Sequence, residues 1–208
     1  ESRVNFASSI VDAIFKTGKK QRLKYTDYML VKTSQFSFSR LEGADPVLHV
    51  EMSSTGEVAC FGESMPEAFL KAELSVGGKI PKKGVFLSLG GDENKARFLD
   101  SILNLKKLHL PFYATVKTAE FLERNGIKAK AYWKIHEKGT QNVLNLFQEG
   151  LVDLAINIPE PELERDVTDY YRLRRAAVDH NIYLLTDRQK ANLFIDASTS
   201  LTIDDLKV

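Results

Sequence analysis

A single cysteine, Cys60, stands in the whole 208-residue chain, so it can close no intrachain disulfide and build no cysteine-rich zinc site. Histidine is almost as scarce. His49, His109, His136 and His180 are scattered, with no i, i+4 pair that would set two imidazoles on one helix face. No apolar run approaches the roughly 18–20 residues that span a bilayer. The opening Glu1-Ser2-Arg3-Val4-Asn5 does not read as a secretory signal. Neither sign of charge dominates: 29 Lys+Arg against 28 Asp+Glu leave +1. That balance excludes a protein whose main business is coating nucleic acid or an anionic membrane, so any anion site has to be local. Catalytic signatures are missing too. There is no paired Cys/His, no G-x-S-x-G elbow, no carboxylate pair spaced for acid–base work, no G-x-G-x-x-G fingerprint and no phosphate-binding P-loop. What the chain does have is bulk for a core, with 43% hydrophobic and 27% charged residues. A protein of the reducing cytoplasm is expected.

Two textures divide the sequence near Lys79-Ile80-Pro81-Lys82-Lys83-Gly84, a stretch of proline, glycine and lysine that reads as an exposed connector. Before it, Ser8 to Lys16 carries Ile10, Val11, Ile14 and Phe15 at amphipathic spacing. Tyr28 to Leu41 alternates, with Leu30, Phe36 and Phe38 as the apolar face of a half-buried strand. Glu63 to Val76 reads as a helix with Pro66 in its first turn. Few long elements occur in 1–80. After the connector, short apolar runs at Val85–Leu89, Pro111–Ala114, Ala129–Trp133, Asp153–Asn157 and Ile182–Leu185 alternate with helical patterns at Asn94–Leu108, Ala119–Arg124, Val143–Gln148, Asp169–His180 and Arg188–Ala197. Asn125-Gly126 supplies a left-handed cap. Five strands alternating with helices predict βαβ crossovers and an α/β domain, its five-stranded parallel sheet flanked by helices.

In such sheets ligands sit beyond the carboxyl ends of the strands, which directs attention to loops 88–95, 114–118, 133–142 and 157–161. Ser88 and Gly90-Gly91 offer a hydroxyl and pliable backbone, and Lys95 opens the next helix. Thr115 and Thr118 bracket a strand-to-helix turn, where free amides and the helix dipole favour an anion. Lys134 follows the third strand and Asn157 closes the fourth. Together these groups suit a phosphate or carboxylate. Each has a plainer reading: the threonines as helix caps, the lysines as solvated surface groups, Asn157 as a turn former. Asp92 and Glu93 read as ordinary dipole partners in a first helical turn. Arg172 and Arg175 could share a surface, with the acidic stretch Glu160–Asp166 as their expected partner.

Three segments, Phe36–Leu41, Gly43–Pro46 and Glu51-Met52-Ser53-Ser54-Thr55-Gly56-Glu57-Val58, resemble the closing part of the second ATP-grasp unit of carbamoyl phosphate synthase large subunits. Glu67–Ala72 and Ile80–Lys83 fit the junction that follows in that family. From Gly84 on the chain is similar to the methylglyoxal-synthase-like domain that ends those subunits, through Ala114-Thr115-x-x-Thr118, Ile156-Asn157 and Arg172–Ala177. The resemblance implies a partial α+β ATP-grasp tail over 1–80 and a C-terminal Rossmann-like regulatory domain over 81–208. It implies a parent ligase that makes carbamoyl phosphate for pyrimidine and arginine synthesis, with ATP and Mg as its cofactors. This stretch would hold no complete active site, no catalytic residue, no metal ligand and no cofactor of its own. Its partners would be the rest of the large subunit, a glutaminase small subunit and, in a homo-oligomer, further copies.

The resemblance also implies an allosteric effector of the UMP, IMP or N-acetylglutamate class, its phosphate or carboxylate meeting Lys95, Thr115, Thr118 and Lys134, with Asn157 beside it and Ser88 a weaker contact. Two positions depart from the family pattern. Lys117 replaces a usual glycine, and Pro159 stands where the nucleotide-binding branch has a threonine. Asn157-x-Pro159 and Trp133 look more like the acetylglutamate-responsive branch. A ligand-free assembly domain and a stand-alone methylglyoxal synthase are the competing readings. The second lacks the aspartate and histidine its chemistry needs at 157–161.

Overall fold

The computed structural model describes residues 28–40, 43–46, 54–137, 139, 141–159 and 167–206. The turn pair read at Ser8–Lys16, the residues 51–53 of the ATP-grasp-like string and the acidic stretch Glu160–Asp166 lie outside the described residues.

Strand β1 (Met29–Gln35) and strand β2 (Gly56–Gly62) form an antiparallel pair, with Met29 opposite Gly62 and Gln35 opposite Gly56. The alternation expected here is real, but its phase is reversed. Thr33 is buried and Val31 packs on the core, whereas Leu30 stands 53% exposed. Phe36 and Phe38 lie beyond the strand and stack on each other, 5.5 Å between centroids. Helix α1 (Met65–Ser75) starts on Ser64, whose hydroxyl accepts the Glu67 amide at 3.4 Å, while the Glu67 carboxylate accepts the Glu63 amide at 2.8 Å. Gly62 is required at this corner, because a Cβ there would sit 2.5 Å from the Ala68 nitrogen. Phe69 and Leu70 of α1 belong to the main hydrophobic core. The connector that follows is pinned: the amides of Lys82, Lys83 and Gly84 donate to the Asp153 carboxylate at 2.8, 3.2 and 3.4 Å.

Beyond it run β3 (Val85–Leu89), α2 (Asp92–Leu105), β4 (Phe112–Thr115), α3 (Val116–Arg124), β5 (Ala129–Tyr132), α4 (Val143–Gln148), β6 (Leu154–Ile158), α5 (Val167–Asp179), β7 (Tyr183–Leu185) and α6 (Arg188–Ser200). The five strands are parallel in the order β5-β4-β3-β6-β7, the expected α/β architecture. Every residue of β3 and β6 is buried, as befits central strands covered on both faces. On one face Phe98, Ile102 and Leu105 of α2 join Leu122 of α3 and Phe194 of α6. Each such side chain contributes about 1.5–3 kcal/mol by leaving water. On the other face α4 and α5 cover Phe86, Tyr132 and Ala155. The chain starts the sheet at its centre, builds outward through β4 and β5, then returns past β3 to lay down β6 and β7. The order therefore reverses between β3 and β6, the place where open α/β sheets form a crevice at the carboxyl ends of their strands.

Candidate functional site

Pairing register decides which side chains meet at that crevice. Tyr132 lies opposite Thr115, and Ser88 opposite Asn157. Leu87 pairs with Ala114, so Ser88 and Thr115 are the next residues along the same two strands. Side chains alternate along a strand, and all four share the face covered by α4 and α5. A polar row thus crosses the carboxyl end of the sheet in the order Tyr132, Thr115, Ser88, Asn157. It is deeply buried, at 1, 6, 3 and 0% exposure respectively. Tyr132 is a member the sequence does not flag, because it sits within an apolar run where a tyrosine reads as one more core residue.

The row differs in how its groups are satisfied. Thr115 is the N-cap residue of α3 but makes no side-chain cap hydrogen bond, since β4 runs straight into a helix that starts three residues earlier than its pattern predicts. Its hydroxyl donates instead to the Thr118 hydroxyl oxygen at 3.1 Å. Thr118 is fully buried; it accepts the Leu89 amide at 3.1 Å and donates to the Leu89 carbonyl at 3.4 Å. With its proton and lone pairs engaged, Thr118 brackets α3 to the end of β3 and faces no solvent. Asn157 is the opposite case. Among the described residues neither its side-chain oxygen nor its nitrogen has a hydrogen-bond partner, although the residue is fully buried. Buried amides are almost always paired, because an unmet donor or acceptor costs about 1–3 kcal/mol. An orphaned amide at a topological switch point is therefore a specific observation.

Charge surrounds this crevice. Gly91, at φ +72°, turns the chain from β3 into α2, and the Gly90 amide donates to the Ile158 carbonyl at 2.8 Å. Asn94 donates to the Pro159 carbonyl at 3.4 Å, which draws the start of α2 against the end of β6. Lys95 lies in that first turn with a side chain only 10% exposed, its ammonium 3.0 Å from the Asp92 carboxylate, itself 97% exposed. The Lys95 hydrogen bond, then its charge, hold the Asp92 carboxyl below the usual carboxylate range, and Arg124 and Lys117 lower it further. Lys117 is exposed, so it adds charge to the rim rather than filling it. Glu93 is spoken for by Arg97. Lys134 is half-buried, with its ammonium 5.4 Å from the ring centroid of Tyr170 on α5. Trp133 is 43% exposed and is held by an isolated bridge to Asn142, with Gly139 lying against its indole.

Register and local contacts thus bring Ser88, Thr115, Thr118 and Asn157 together and set Lys95 at the same strand ends. Lys134 and Trp133 follow β5 at the margin. Lys95 and Thr115 are both buried, which sets aside the plainer reading of Lys95 as a solvated surface group. Among the described residues Arg174 pairs with Asp45 and Arg175 with Asp179, while the acidic partner expected for Arg172 and Arg175, Glu160–Asp166, lies outside the described residues. Among the described residues no group of His, Cys, Asp and Glu could hold a metal ion, and no helix is long and apolar enough to cross a membrane. A cleft of about 510 Å³ lies elsewhere, between Phe36, Phe38, Val76 and the end of β7. None of the polar-row residues lines it.

Comparison with known proteins agrees with this architecture. Residues 97–186 match the family model of the MGS-like domain. The chain is 44% identical over 181 residues, 80% of its length, to multifunctional protein CAD of Squalus acanthias. It is 41% identical over 189 residues, 86% of its length, to multifunctional protein URA2 of Saccharomyces cerevisiae. Over 184 residues it is 40% identical to the mitochondrial carbamoyl-phosphate synthase (ammonia) of Mus musculus. It spans only 8, 8 and 12% of the length of these three relatives.

Proposed function

Because the chain carries a member of the MGS-like domain family inside a stretch similar to carbamoyl phosphate synthases, we propose that it is the effector-binding regulatory region of such a synthase. The parent would be an ATP-dependent ligase supplying pyrimidine synthesis, and arginine synthesis where the pathway runs that far. The ligand is a small anionic metabolite seated at the carboxyl ends of β3, β4 and β6. One observation carries this reading: the fully buried, unpartnered amide of Asn157. An amide is a donor and an acceptor at once, so it fits a ligand that bears both, such as a uracil or hypoxanthine base or an acetamido group.

The anionic end of the ligand belongs with the lysines. The Lys95 ammonium already holds a carboxylate, that of Asp92, so the spot suits an anion. A phosphate or carboxylate from the ligand would take the place of Asp92, which is exposed and can swing into water at little cost. Thr115 contributes by turning its hydroxyl proton from Thr118 to the ligand. Thr118 serves as the bracket behind it and is a positioning residue in this scheme, not a contact.

Calorimetric titration with UMP, IMP and N-acetylglutamate at low salt tests the proposal. One of the three gives a saturable heat, and Asn157→Ala and Lys95→Met each weaken it by about tenfold or more, as loss of a hydrogen bond to a charged or buried group does. Saturable binding that both variants leave intact would move the site elsewhere. No heat from any of the three would favour an assembly role for this region.

A further inference from the structure

Helix α5 has two faces, and they touch different parts of the molecule. Tyr170, Leu173 and Ala177, spaced i, i+3, i+7, turn inward: Tyr170 is buried beneath the Lys134 ammonium, and the other two join the hydrophobic cluster of Phe86, Tyr132 and Phe147. Tyr171, Arg174 and Arg175, spaced i, i+3, i+4, hold the segment that follows β1. The Tyr171 hydroxyl donates to the Gly43 carbonyl at 2.7 Å. Arg174 donates from two nitrogens to the two Asp45 carboxylate oxygens, at 2.8 and 2.5 Å. Arg175 donates to the carbonyls of Phe38 at 3.0 Å and Ala44 at 3.3 Å, and its other side engages Asp179. Gly43, at φ +73°, makes the turn that offers these acceptors together.

We propose that α5 couples the anion site to the segment 38–45, with Arg174 as the positioning residue of that coupling. The inference rests on the functional reading above. Its physical basis is a competition followed by a mechanical constraint. Lys134 lies over the Tyr170 ring, a cation–π contact whose strength depends on where the ammonium points. A ligand anion that draws Lys134 away interacts differently with the two positions of α5, the condition any ligand-driven shift must meet. At the far face, Arg174 is only 5% exposed. If α5 moved and Asp45 stayed, a buried guanidinium would lose its counter-ion, which is far costlier than carrying the segment along. Phe38 and Gly43 to Asp45 therefore follow the helix.

Hydrogen–deuterium exchange of the full chain tests this in wild type, Asp45→Asn and Lys190→Met. Lys190→Met serves as control, because the ion pair it removes ties α6 to Glu73 of α1 and includes no residue of α5. Without any ligand, Asp45→Asn speeds exchange in peptides covering 129–137 and 154–158 by at least about threefold, since coupling is reciprocal. Lys190→Met leaves those peptides unchanged. With whichever of UMP, IMP or N-acetylglutamate binds, protection across 38–45 changes in wild type, and in Asp45→Asn that change is lost while binding persists. Coupling is overturned if Asp45→Asn leaves 129–137 and 154–158 at wild-type rates, or if a bound probe leaves 38–45 untouched. Failure of all three probes to bind would count against the functional reading alone, and the ligand-free comparison would still decide the coupling.

Discussion

Asn157→Leu should leave the protein about as stable and remove its function. Asparagine and leucine share a heavy-atom outline branched at Cγ, so the substitution keeps the shape at a position with no exposure while deleting two unpartnered polar atoms. Relief of an unpaired buried donor and acceptor is worth about 1–3 kcal/mol. Against it stands the larger volume of two methyl groups, and overpacking a core costs about 1–3 kcal/mol. The two ranges offset, and their difference lies within about 2 kcal/mol of zero. For a domain of this size that keeps the change in Tm within about 8 °C. Urea unfolding followed by tryptophan fluorescence is a convenient assay, because Trp133 is the only tryptophan. Calorimetry on the same protein should show the effector heat gone. A loss of more than about 2 kcal/mol on Asn157→Leu would refute the reasoning, for it would mean that the amide is bonded in solution and holds the fold. Retained stability with undiminished binding would keep the packing argument but take Asn157 out of the ligand's contacts.

Two further outcomes follow from the charges. Asp92→Asn removes the carboxylate that competes for Lys95, so anion affinity should rise by roughly two- to fivefold, the scale of an exposed ion pair. Lys95 depresses the Asp92 pKa, so the competing charge persists as pH falls through the usual carboxylate range and disappears only below it. The affinity ratio of variant to wild type should hold from neutral pH to about 4 and approach one only in stronger acid. The second outcome concerns Tyr183, which donates to the buried Glu73 carboxylate at 2.6 Å. Burial first, then the Glu73 charge, push its hydroxyl far above the ordinary 10.0. A group whose folded pKa is raised lends stability below its unfolded pKa and loses it as pH climbs beyond. Unfolding free energy should therefore fall as pH rises past about 10, and Tyr183→Phe should flatten that alkaline decline.

Most of the fold was legible because its signals are local. Short apolar runs separated by helical periodicity define β3 to β7, and Phe98, Ile102 and Leu105 sit on the inward face of α2 as their spacing requires. The departures come from tertiary context. Leu30 belongs to the exposed face of β1 because Val31 and Thr33 are the residues that meet the rest of the molecule, a choice no alternation pattern can make by itself. Arg174 pairs with Asp45, 129 positions away, a contact set by docking that no local spacing announces.

The candidate site was legible as a set of residues but not as a division of labour. Lys95, Thr115, Thr118 and Asn157 all read as polar groups at strand ends, and sequence alone gave no reason to separate them. The pleat separates them. Ser88, Thr115, Tyr132 and Asn157 share the parity of Phe86, Tyr113 and Ala155, whose side chains meet α4 and α5, so those four polar groups line one face where the strands end. Thr118 sits one helical turn further on, where it is used up on Leu89. Parity can be counted from sequence once strand ends are fixed, and that count would have admitted Tyr132. Satisfaction cannot be counted that way. Whether an amide is paired depends on what the opposing helix brings, and over Asn157 no described residue supplies a partner. That difference makes Asn157, more than either lysine, the residue on which the functional reading turns.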